Sequence, residues 1–600
     1  MKKLRTLFAA ALSALFLLVG AAPHSSFAER ARGSAFELSP RLSEGVTLAP
    51  AEEGSMSILA HESGNRIVFD ETKTLSFTVS YDEGWLPCSR YSRFFPNDSN
   101  AAVTDQGGGV YLYTYSARKS YGVALAEWTG VHIYASVSEL PKLYIDAEAD
   151  FEDIGKEAWV GAQFTLIQGT KQFPGGDYEG SGEIKGRGNS SWTYPKKPYS
   201  IKLDSKASLL GIPKTKKYAV IPGYHDTSLM RNYITYKIWQ GLEGIDYVPK
   251  CEFVDVYLNG VYNGVYTLVE RIDIEKNKID IEEADADNMT GGYLIEKDIR
   301  MKMDMDSDLW FDCPYWANVS QDFFVLKSPE PDDPALADAM RSYLTDYMQR
   351  VHDSIMGVSG EDWHNYVDIS SWIDFIIVQE TAKNIDGNMK TSCWLYKDRE
   401  DDHIYMTAPW DFDLAYGRVN WNNQSEEHND VIDCPGSGTH DGFMILNSSN
   451  PWMDRLWDTE PEFRQALMRR YTAYRSTLIE DMFTMIEEQA AYLDVVQVPN
   501  NELWGMNFHN GVNVLKNWLT QRIAWLDGEW LTEETFAPGD VNMDGAVDSS
   551  DALLVLRCSL GLAELDPEAL ALADVNGDGE VSAPDALLIL RLALGLEERK

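Results

Sequence analysis

The first part of the chain alternates apolar and polar residues with the period of β-strands. The runs RIVFD, LSFTVSYD, GGGVYLYTYSA and VHIYASV are separated by turn residues, and none has helical periodicity. We therefore expect a β-rich region over residues 29–139. From about Leu140 to Trp530 the pattern changes to strands mixed with amphipathic helices, rich in Trp and Tyr. Together these patterns predict an α+β fold whose main domain is 140–530.

One segment of the main domain, GYHDTSLMRNYITYKIWQ, predicts a helix, and the next segment predicts a hairpin. Asp226 is expected to be the N-cap of the helix, with Leu229, Tyr233 and Tyr236 on its buried stripe. In EFVDVYLNGVYNGVYTLVERID, the pair 259–260 (Asn-Gly) lies between two apolar runs. That pattern is typical of a tight hairpin turn.

A later segment, SSWIDFIIVQETAKNIDGNMKTSCWLYKDREDDHIYMTAPWDFDLAYG, predicts a helix followed by a hairpin. The helix is expected to end at Lys383 and to present Asp386 in a loop beside a glycine. The strands TSCWLYKD and HIYMTAPW follow, and the second is expected to end directly in Asp411, Phe412 and Asp413. Because the hairpin folds back on itself, we expect the carboxylates of Asp386, Asp411 and Asp413 to lie together.

Three converging carboxylates suit phosphoryl transfer. One aspartate accepts the proton of the attacking hydroxyl group, while another at a strand end holds Mg²⁺ bridging the nucleotide phosphates. Mg²⁺ takes only one or two protein carboxylates and keeps water ligands, so three carboxylates are enough to provide both a base and a metal site. The alternative is that isolated aspartates in loops act as helix caps or turn formers.

Positive charge is concentrated in one segment of a chain whose net charge is −42. Residues 185–217 contain nine basic residues and one acidic residue, a balance that suits an anionic ligand such as a polyphosphate. Arg187 is a candidate for bidentate phosphate binding, and Lys202 on the strand PYSIKL is a candidate to point at the same ligand. Glu270 and Arg231 are candidates to orient these cations. A solvated basic hairpin and structural ion pairs are the alternatives.

The excess of negative charge disfavours nucleic acid as a partner. Near the N-terminus, basic residues precede the apolar run LFAAALSALFLLVG, and a small-x-small sequence ends at Ala28. This pattern predicts a secretory signal peptide over residues 1–28. The apolar run is shorter than the roughly 20 residues that a membrane span needs. We therefore expect a secreted, extracellular protein with no membrane span.

The last sixty residues contain one acidic twelve-residue pattern twice, DVNMDGAVDSSD and DVNGDGEVSAPD, at an offset of 34 positions. Oxygen-bearing side chains at loop positions 1, 3, 5, 9 and 12, with Gly at position 6, are typical of a loop that wraps one Ca²⁺. Each loop precedes one apolar helical run, so each repeat is expected to be a loop and a single helix. The predicted ligands are Asp540, Asn542, Asp544, Asp548 and Asp551 in the first copy and Asp574, Asn576, Asp578, Ser582 and Asp585 in the second.

The main-domain motifs, in their order, resemble the CotH kinase family, whose fold is an atypical protein-kinase-like one. They are KGRGNSSW with PKKPYSIKL, DTSLMRN, LNGVYNGVYTLVERI with GGYLIEKD, and KNIDG with PWDFDLAYG, over roughly residues 140 to 420. The resemblance implies ATP and Mg²⁺ as cofactors, Asp386 as the catalytic carboxylate and Asp411 as a metal ligand. It also implies Asp413 as a second candidate ligand and Lys202 as the nucleotide-binding lysine. Thr391 stands where protein kinases place a metal-binding Asn.

Residues 539 to 596 resemble a type I dockerin, the calcium-dependent module that seats a protein on a cohesin domain of a scaffold. The resemblance implies two bound Ca²⁺ ions, a dockerin domain over 539–600 after a linker at 531–538, and a place in a cellulosome-type complex. In dockerins, loop positions 10 and 11 face the cohesin; here these are Ser549, Ser550, Ala583 and Pro584. Because the two pairs differ, we expect the two faces to differ in partner preference.

These features support one main hypothesis and two rivals. The main hypothesis is an exported, scaffold-docked CotH-like kinase that phosphorylates protein hydroxyl groups. The first rival is a non-catalytic binding or structural module of a polysaccharide-degrading complex, which would grip polymer through some of its 18 Trp and 30 Tyr residues. The second is a glycoside hydrolase, which needs two carboxylates about 5 to 10 Å apart. A basic cluster has no role in that chemistry.

Overall fold

The structure is a computed structural model, and it describes most of the chain after residue 138. The described residues are 41–43, 46–50, 56–60, 66–70, 74–81, 101–116, 121–124, 132–137, 139–169, 171–299, 308–312, 322–387, 389–418, 438–446, 450–494, 496–531, 537–542, 546–563, 565 and 567–597. The predicted signal peptide and most of the predicted linker lie outside these residues. The chain divides into two compact units, one of residues 1–460 with 474–526 and one of residues 461–473 with 527–600.

In the N-terminal region, the described residues form nine strands in two sheets. One sheet has the strand order β1-β2-β5-β7-β6 and the other the order β3-β4-β9-β8. The β-rich character predicted from alternation is therefore confirmed. The strands are β1 (Arg41–Ser43), β2 (Val46–Pro50), β3 (Met56–Ala60), β4 (Arg66–Asp70), β5 (Thr74–Tyr81), β6 (Ala101–Gly107), β7 (Val110–Ser116), β8 (Tyr121–Ala124) and β9 (His132–Val137).

The next seven strands close into a barrel of order β10-β11-β12-β13-β14-β16-β15, with β10 and β15 pairing in parallel. Every strand contributes alternate apolar residues to one buried cluster, as the period of two requires. Members of this cluster include Leu143, Phe164, Ile184, Ile201, Tyr218, Val254 and Leu268. The strands are β10 (Lys142–Ala147), β11 (Val160–Ile167), β12 (Tyr178–Gly186), β13 (Tyr199–Ala207), β14 (Thr215–Ile221), β15 (Cys251–Leu258) and β16 (Val261–Glu270).

The turn between β15 and β16 is the one that the sequence predicts. Asn259 and Gly260 both have positive φ, at 46° and 79°. Two left-handed residues give the twist that matches a tight antiparallel hairpin, and Asn and Gly tolerate that conformation best. The Asn259 side chain also accepts a hydrogen bond from the backbone N–H of Ala147 at 2.7 Å, which ties the turn to β10.

A second sheet follows, of order β18-β19-β17-β20-β21. Its strands are β17 (Tyr293–Ile299), β18 (Leu309–Asp312), β19 (Asp322–Ser328), β20 (Cys393–Lys397) and β21 (Tyr405–Met406). The β20–β21 hairpin is confirmed, but the expectation that its second strand runs directly into Asp411 is wrong, since pairing stops at Met406. Pro409 has no backbone N–H to donate and restricts the residue before it, so the ladder cannot continue through this segment.

The helices of the described residues begin with the short α1, and most follow the second sheet. They are α1 (Arg231–Ile238), α2 (Pro334–Ile355), α3 (Ile369–Ala382), α4 (Pro451–Thr459), α5 (Pro461–Arg475), α6 (Leu478–Leu493), α7 (Gln497–Trp504), α8 (Phe508–Trp530), α9 (Ser549–Ser559), α10 (Pro567–Ala573) and α11 (Ala583–Ala593). The structure thus confirms the α+β class. Across the described ranges, none of these helices carries an apolar stretch of the length that a bilayer crossing requires.

The predicted start of α1 is wrong. The helix begins at Arg231, its N-cap position is Met230, and Leu229 precedes it with a φ of 62°. The carboxylate of Asp226 nevertheless accepts the backbone N–H of Arg231 at 2.7 Å. Asp226 therefore does satisfy a free N–H group at the helix start, but from five residues upstream rather than from the N-cap position.

In the C-terminal repeats, each loop leads into one helix, α9 or α11, as predicted. A short helix that the sequence pattern did not predict, α10, lies between the repeats. Both repeat helices begin with a capping box, formed by Asp548 with Asp551 in α9 and by Ser582 with Asp585 in α11. Their inner faces share a small core that includes Val541, Ala552, Val555, Ala573, Ala586 and Ile589.

Candidate functional site

A cavity of about 790 Å³ lies in the first unit. One side of it is formed by the loop between β12 and β13 and by residues that follow β14 and β16. The other side is formed by β17, β19 and β20 and by the loops that carry the KNIDG and PWDFD sequences. Both groups of sequence motifs therefore meet at one place.

The structure brings the three expected carboxylates together, since Asp386, Asp411 and Asp413 all line this cavity. Burial raises the pKa of Asp413 well above its ordinary value, and the neighbouring carboxylates of Asp411 and Asp386 raise it further. Three acidic side chains around one cavity are a favourable place for a cation. The positioning of these residues was predictable from the hairpin, although the strand preceding Asp411 is shorter than expected.

The KNIDG loop is held against the PWDFD loop by hydrogen bonds. The side-chain oxygen of Asn384 accepts the backbone N–H of Asp386 at 3.3 Å, and its amide donates to the carbonyl oxygen of Asp411 at 3.2 Å. A Cβ on Gly387 would lie 1.9 Å from the side-chain oxygen of Gln379, so a larger residue would have to displace that buried side chain. One asparagine thus connects the two loops that carry the carboxylates.

Helix α1 holds the PWDFD loop from the opposite side. The side-chain oxygen of Asn232 accepts the backbone N–H of Phe412 at 2.8 Å, and the hydroxyl of Tyr236 accepts that of Asp411 at 3.3 Å. Arg231 donates to the carbonyl oxygen of Ala415 at 3.0 Å and forms a fully buried ion pair with Asp226 at 2.6 Å. Arg231 is therefore a structural residue of this loop, and it does not line the cavity.

Backbone strain is concentrated around the carboxylates. Nine of the described non-glycine residues have positive φ, and five of them lie in the loops around the carboxylates, with φ between 46° and 66°: Lys383, Met389, Ser392, Asp411 and Tyr416. A sixth, Glu400, lies in the turn between β20 and β21. Such conformations cost of order 1–3 kcal/mol each and persist where the surrounding structure enforces them. Five strained residues within one short stretch of chain indicate that the surrounding structure holds these loops in a defined conformation at a cost in stability.

Five Lys and Arg residues of the described part of the chain line the same cavity: Lys156, Lys185, Arg187, Arg271 and Lys327. The guanidinium carbon of Arg187 lies 5.3 Å from the ring centroid of Trp410, the residue before Asp411. Burial lowers the pKa of Arg187 to about 10, and nearby Arg271 lowers it further while Asp411 opposes the shift. Lys327 pairs with Glu296 at 3.3 Å. Burial acts to lower the pKa of Lys327, but Glu296 outweighs it and the pKa is raised.

Two expected cofactor-binding residues lie elsewhere. Lys202 is half-exposed on β13 and forms an ion pair with Glu183 at 3.8 Å, because strand alternation turns it out of the barrel. Glu270 is buried at the end of β16 and accepts the backbone N–H of Lys250 at 3.0 Å. Neither lines the cavity, whereas Arg271, the residue after Glu270, does. Sequence reasoning assigned no role to Arg271, although this residue belongs to the quoted motif LNGVYNGVYTLVERI. It missed Lys327 because an isolated cation in a strand carries no distinctive signal.

Thr391, five residues after Asp386, donates a hydrogen bond through its hydroxyl to the carboxylate of Asp298. Asp298 is buried near the end of β17 and also lines the cavity. The position where protein kinases have Asn is thus occupied by a residue that holds a further carboxylate. Asp298 belongs to the quoted motif GGYLIEKD, so the signal for it was present, although no role was assigned.

The second dockerin-like loop is organised around its first residue. The carboxylate of Asp574 accepts the backbone N–H groups of Gly577, Asp578 and Gly579 at 2.8 to 3.1 Å. Asp585, at loop position 12, accepts the N–H groups of Asn576 and Ser582 from across the loop. In the first loop, Asp551 likewise accepts those of Val541, Asn542 and Asp548, while Asp544 lies outside the described residues.

The oxygen atoms of these loops are of the type that Ca²⁺ prefers, and Gly579 makes the turn at φ 88°. Within the described ranges, no three acidic, imidazole or thiol side chains stand together as a complete metal site. This holds for the carboxylate cavity as well as for the loops. Metal binding at either place would therefore draw on other oxygen donors too, such as carbonyl groups, amides, water or the ligand itself.

The outer faces of the dockerin-like helices expose matched leucines. Leu553 and Leu587 are 56% and 58% exposed, and each is the counterpart of the other at the 34-residue offset. Further exposed leucines follow the same offset in both copies: Leu556, Leu560 and Leu562 with Leu590, Leu594 and Leu596. A duplicated apolar stripe on a small domain is a typical interaction surface.

Comparisons with known proteins agree with the motifs. Residues 184–526 match the family described as CotH kinase protein, and residues 538–592 match the type I dockerin domain. The chain is also similar to the inner spore coat protein H of Bacillus subtilis (strain 168), at 23% identity over 290 residues, which cover 48% of this chain and 69% of that protein. Both resemblances drawn from the sequence are confirmed.

Proposed function

The chain belongs to the CotH kinase protein family, and we propose on this premise that its cavity transfers the γ-phosphoryl group of ATP to hydroxyl groups of proteins. Asp386 acts as the base that accepts the hydroxyl proton, and Asp411, with Asp413, holds Mg²⁺. Arg187 and Arg271 bind the phosphate groups. The core is then an atypical protein-kinase-like one.

One observation carries this proposal. The carboxylates of Asp386, Asp411 and Asp413 line a single cavity of about 790 Å³ together with the cations of Arg187, Arg271 and Lys327, although these residues come from segments up to about 230 residues apart in sequence. Phosphoryl transfer needs this combination, because the phosphates require fixed positive charge while the acceptor hydroxyl and the metal require carboxylates. The rival non-catalytic module and a glycoside hydrolase would not require the arginines that line the cavity.

The carboxylate group fits Mg²⁺ by its chemistry. Asp411 and Asp413 provide oxygen donors, and the repulsion that raises the pKa of Asp413 would be relieved by a cation. Bound Mg²⁺ would supply charge neutralisation on the nucleotide phosphates. Other residues of the chain position these groups. Asn384 keeps the Asp386 loop against Asp411, and the ring of Trp410 packs against the guanidinium of Arg187.

The test is a phosphotransfer assay on the full chain with radiolabelled ATP, Mg²⁺ and a generic protein acceptor. We expect labelled acceptor with the wild type, and a loss of at least about 10³-fold with Asp386→Asn, which keeps the shape but cannot accept the proton. Asp353→Asn, a surface carboxylate outside the cavity, is the matched control. Equal labelling by wild type and Asp386→Asn would refute Asp386 as the base, and no labelling at all would favour the non-catalytic module.

The C-terminal dockerin domain implies Ca²⁺ binding and a cohesin partner. We propose that the ten loop residues predicted from the repeat are the calcium ligands. We propose further that Ser549 and Ser550 on one face, and Ala583 and Pro584 on the other, contact the cohesin beside the exposed leucine stripes. Dockerin domains are typically extracellular parts of cellulosomes, which supports an exported, scaffold-docked protein.

A further inference from the structure

The loop between β12 and β13 lines the cavity with hydrogen-bond donors that have no protein acceptor. Residues 187–191 all contribute to the cavity wall. Among the described residues, the backbone N–H groups of Gly188, Asn189, Ser190 and Ser191 have no hydrogen-bond acceptor. By contrast, the N–H of Arg187 donates to the carbonyl oxygen of Pro198 across the hairpin. Four successive donors of this kind form a positively polarised surface.

Two glycines, Gly186 and Gly188, determine the backbone conformation of this loop. Gly188 has a φ of 82°, and a Cβ there would lie 2.1 Å from the hydroxyl oxygen of Ser191. A Cβ on Gly186 would lie 2.4 Å from the ring of Trp192, so the chain passes directly under that side chain. The GRG sequence is therefore required to let the backbone fold tightly where its N–H groups border the cavity.

Fixed charges surround this loop in a pattern that fits an elongated anion. Arg187 begins the loop and stacks on Trp410, and Arg271 and Lys327 line the cavity as well. The acidic residues Asp386, Asp411 and Asp413 come from the opposite set of loops. A ligand with several negative groups in a row can contact the N–H groups at one end and approach the carboxylates, through a cation, at the other.

We infer that residues 187–191 form the phosphate-binding loop of this cavity, and that they recognise a polyphosphate chain through the four backbone N–H groups and the Arg187 guanidinium. This inference builds on the proposed phosphotransfer, because it assigns the part of the site that holds the phosphate donor. Backbone N–H groups recognise phosphate without any lysine, so Lys202 is not needed for binding. The loop does the work of a glycine-rich phosphate loop without the spacing by which such loops are recognised in sequence.

Ser190 allows one N–H group to be deleted. Its φ is −61°, close to the value that proline imposes, so Ser190→Pro removes the N–H with the backbone conformation kept. Ser190→Ala removes the hydroxyl and retains the N–H. Binding of inorganic tripolyphosphate and of Mg-ATP to the full chain is measured by calorimetry. We expect Ser190→Pro to weaken both by about tenfold, as for one hydrogen bond to a charged group, and clearly more than Ser190→Ala does.

A second pair of variants tests whether a loss of binding could result from misfolding. Gly188→Ala combines a residue at positive φ with a close contact to Ser191 inside the cavity, whereas Gly176→Ala introduces the positive-φ strain alone, at a φ of 71°, in a loop outside it. We expect Gly188→Ala to weaken tripolyphosphate binding at least fivefold and Gly176→Ala to leave it unchanged, with similar melting temperatures for both. Wild-type affinity in both Ser190→Pro and Gly188→Ala, or no binding of tripolyphosphate to the wild type, would overturn the inference.

The same variants separate this inference from the proposed function. Tripolyphosphate binding that depends on the loop, without phosphotransfer from ATP, would leave the phosphate loop standing and refute the kinase. Phosphotransfer by the wild type with unchanged ATP affinity in Ser190→Pro and Gly188→Ala would support the kinase and refute the phosphate loop.

Discussion

The side-chain amide of Asn384 donates a hydrogen bond to the backbone carbonyl oxygen of Asp411 at 3.2 Å. It connects the KNIDG loop to the loop that carries the proposed metal ligands. Since its oxygen also accepts the N–H of Asp386, one buried side chain sets the spacing between the proposed base and the proposed metal site.

Replacing this asparagine should damage catalysis more than nucleotide binding. We expect Asn384→Ala to lower kcat about 10²-fold, because a shift of the order of 1 Å between reacting groups has that effect, while KM for ATP changes much less. Phosphotransfer kinetics measure the two constants. Asn510→Ala, an exposed asparagine on α8, is the control. An equal rise in KM would show that Asn384 serves the nucleotide instead.

The ion pair between Glu380 and Arg522 is fully buried, at 2.7 Å. Glu380 also accepts the N–H groups of Met444, Ile445 and Leu446, so it anchors that segment to α3. We expect Arg522→Met to lower the free energy of unfolding by about 3–5 kcal/mol, because it leaves an unpaired buried carboxylate. Urea denaturation measures the change.

A matched control for this pair is Arg475→Met, since Arg475 forms an exposed ion pair with Glu480 at 3.2 Å. That variant is expected to lower the free energy of unfolding by less than about 1 kcal/mol. Equal effects of the two substitutions would contradict the assignment of a structural role to the buried pair.

Asp454, in the first turn of α4, should make the protein less stable as pH rises. Burial, followed by the nearby Asp458, raises its pKa to about 7 from an ordinary value of 3.8. Between about pH 4 and 7 the folded state therefore holds a proton that the unfolded state has released, so stability falls across that window. We expect Asp454→Asn to raise the melting temperature at pH 8 and to change it little at pH 4. A stabilisation of the same size at both pH values would refute this reading.

Removal of calcium should unfold the dockerin domain and abolish docking. The oxygen donors of each loop converge only in the folded state, so metal binding supplies folding energy. With excess EGTA, we expect the full chain to lose cohesin binding and to become susceptible to proteolysis between residues 539 and 596, with both effects reversed by Ca²⁺. Asp578→Ala should weaken calcium binding at the second loop and leave the first loop unchanged, so that one of the two calcium sites is lost. Unchanged cohesin binding in EGTA would contradict the prediction.

Local chemistry made parts of the molecule predictable. The hairpin at Asn259 and Gly260 followed from two residues that tolerate positive φ, and the dockerin repeats followed from ligand spacing and glycines within twelve residues. The convergence of Asp386 and Asp411 was predictable as well, because only a hairpin separates them. In each case the residues that determine the structure lie close together in sequence.

Other parts depended on distant partners. The start of α1 was misplaced because Asp226 caps the helix from five residues upstream, through a turn that packing imposes. Lys202 was assigned to the cavity, although the closed barrel turns it outward. Arg271, directly after β16, and Lys327, on β19, line the cavity instead, and no role was assigned to either from the sequence. Closure of the barrel through β10 and β15 joins residues more than one hundred positions apart, and no local pattern encodes it.

The sequence by itself thus determined the β-rich N-terminal region, the family, the calcium-type loops and the three carboxylates, since period, spacing and residue type act over short distances. Only the tertiary structure decided which cations line the cavity with those carboxylates and that the GRG loop lines it too. That choice depends on how the barrel and the second sheet pack, which is set by the burial of apolar surface along the whole chain rather than by any single motif.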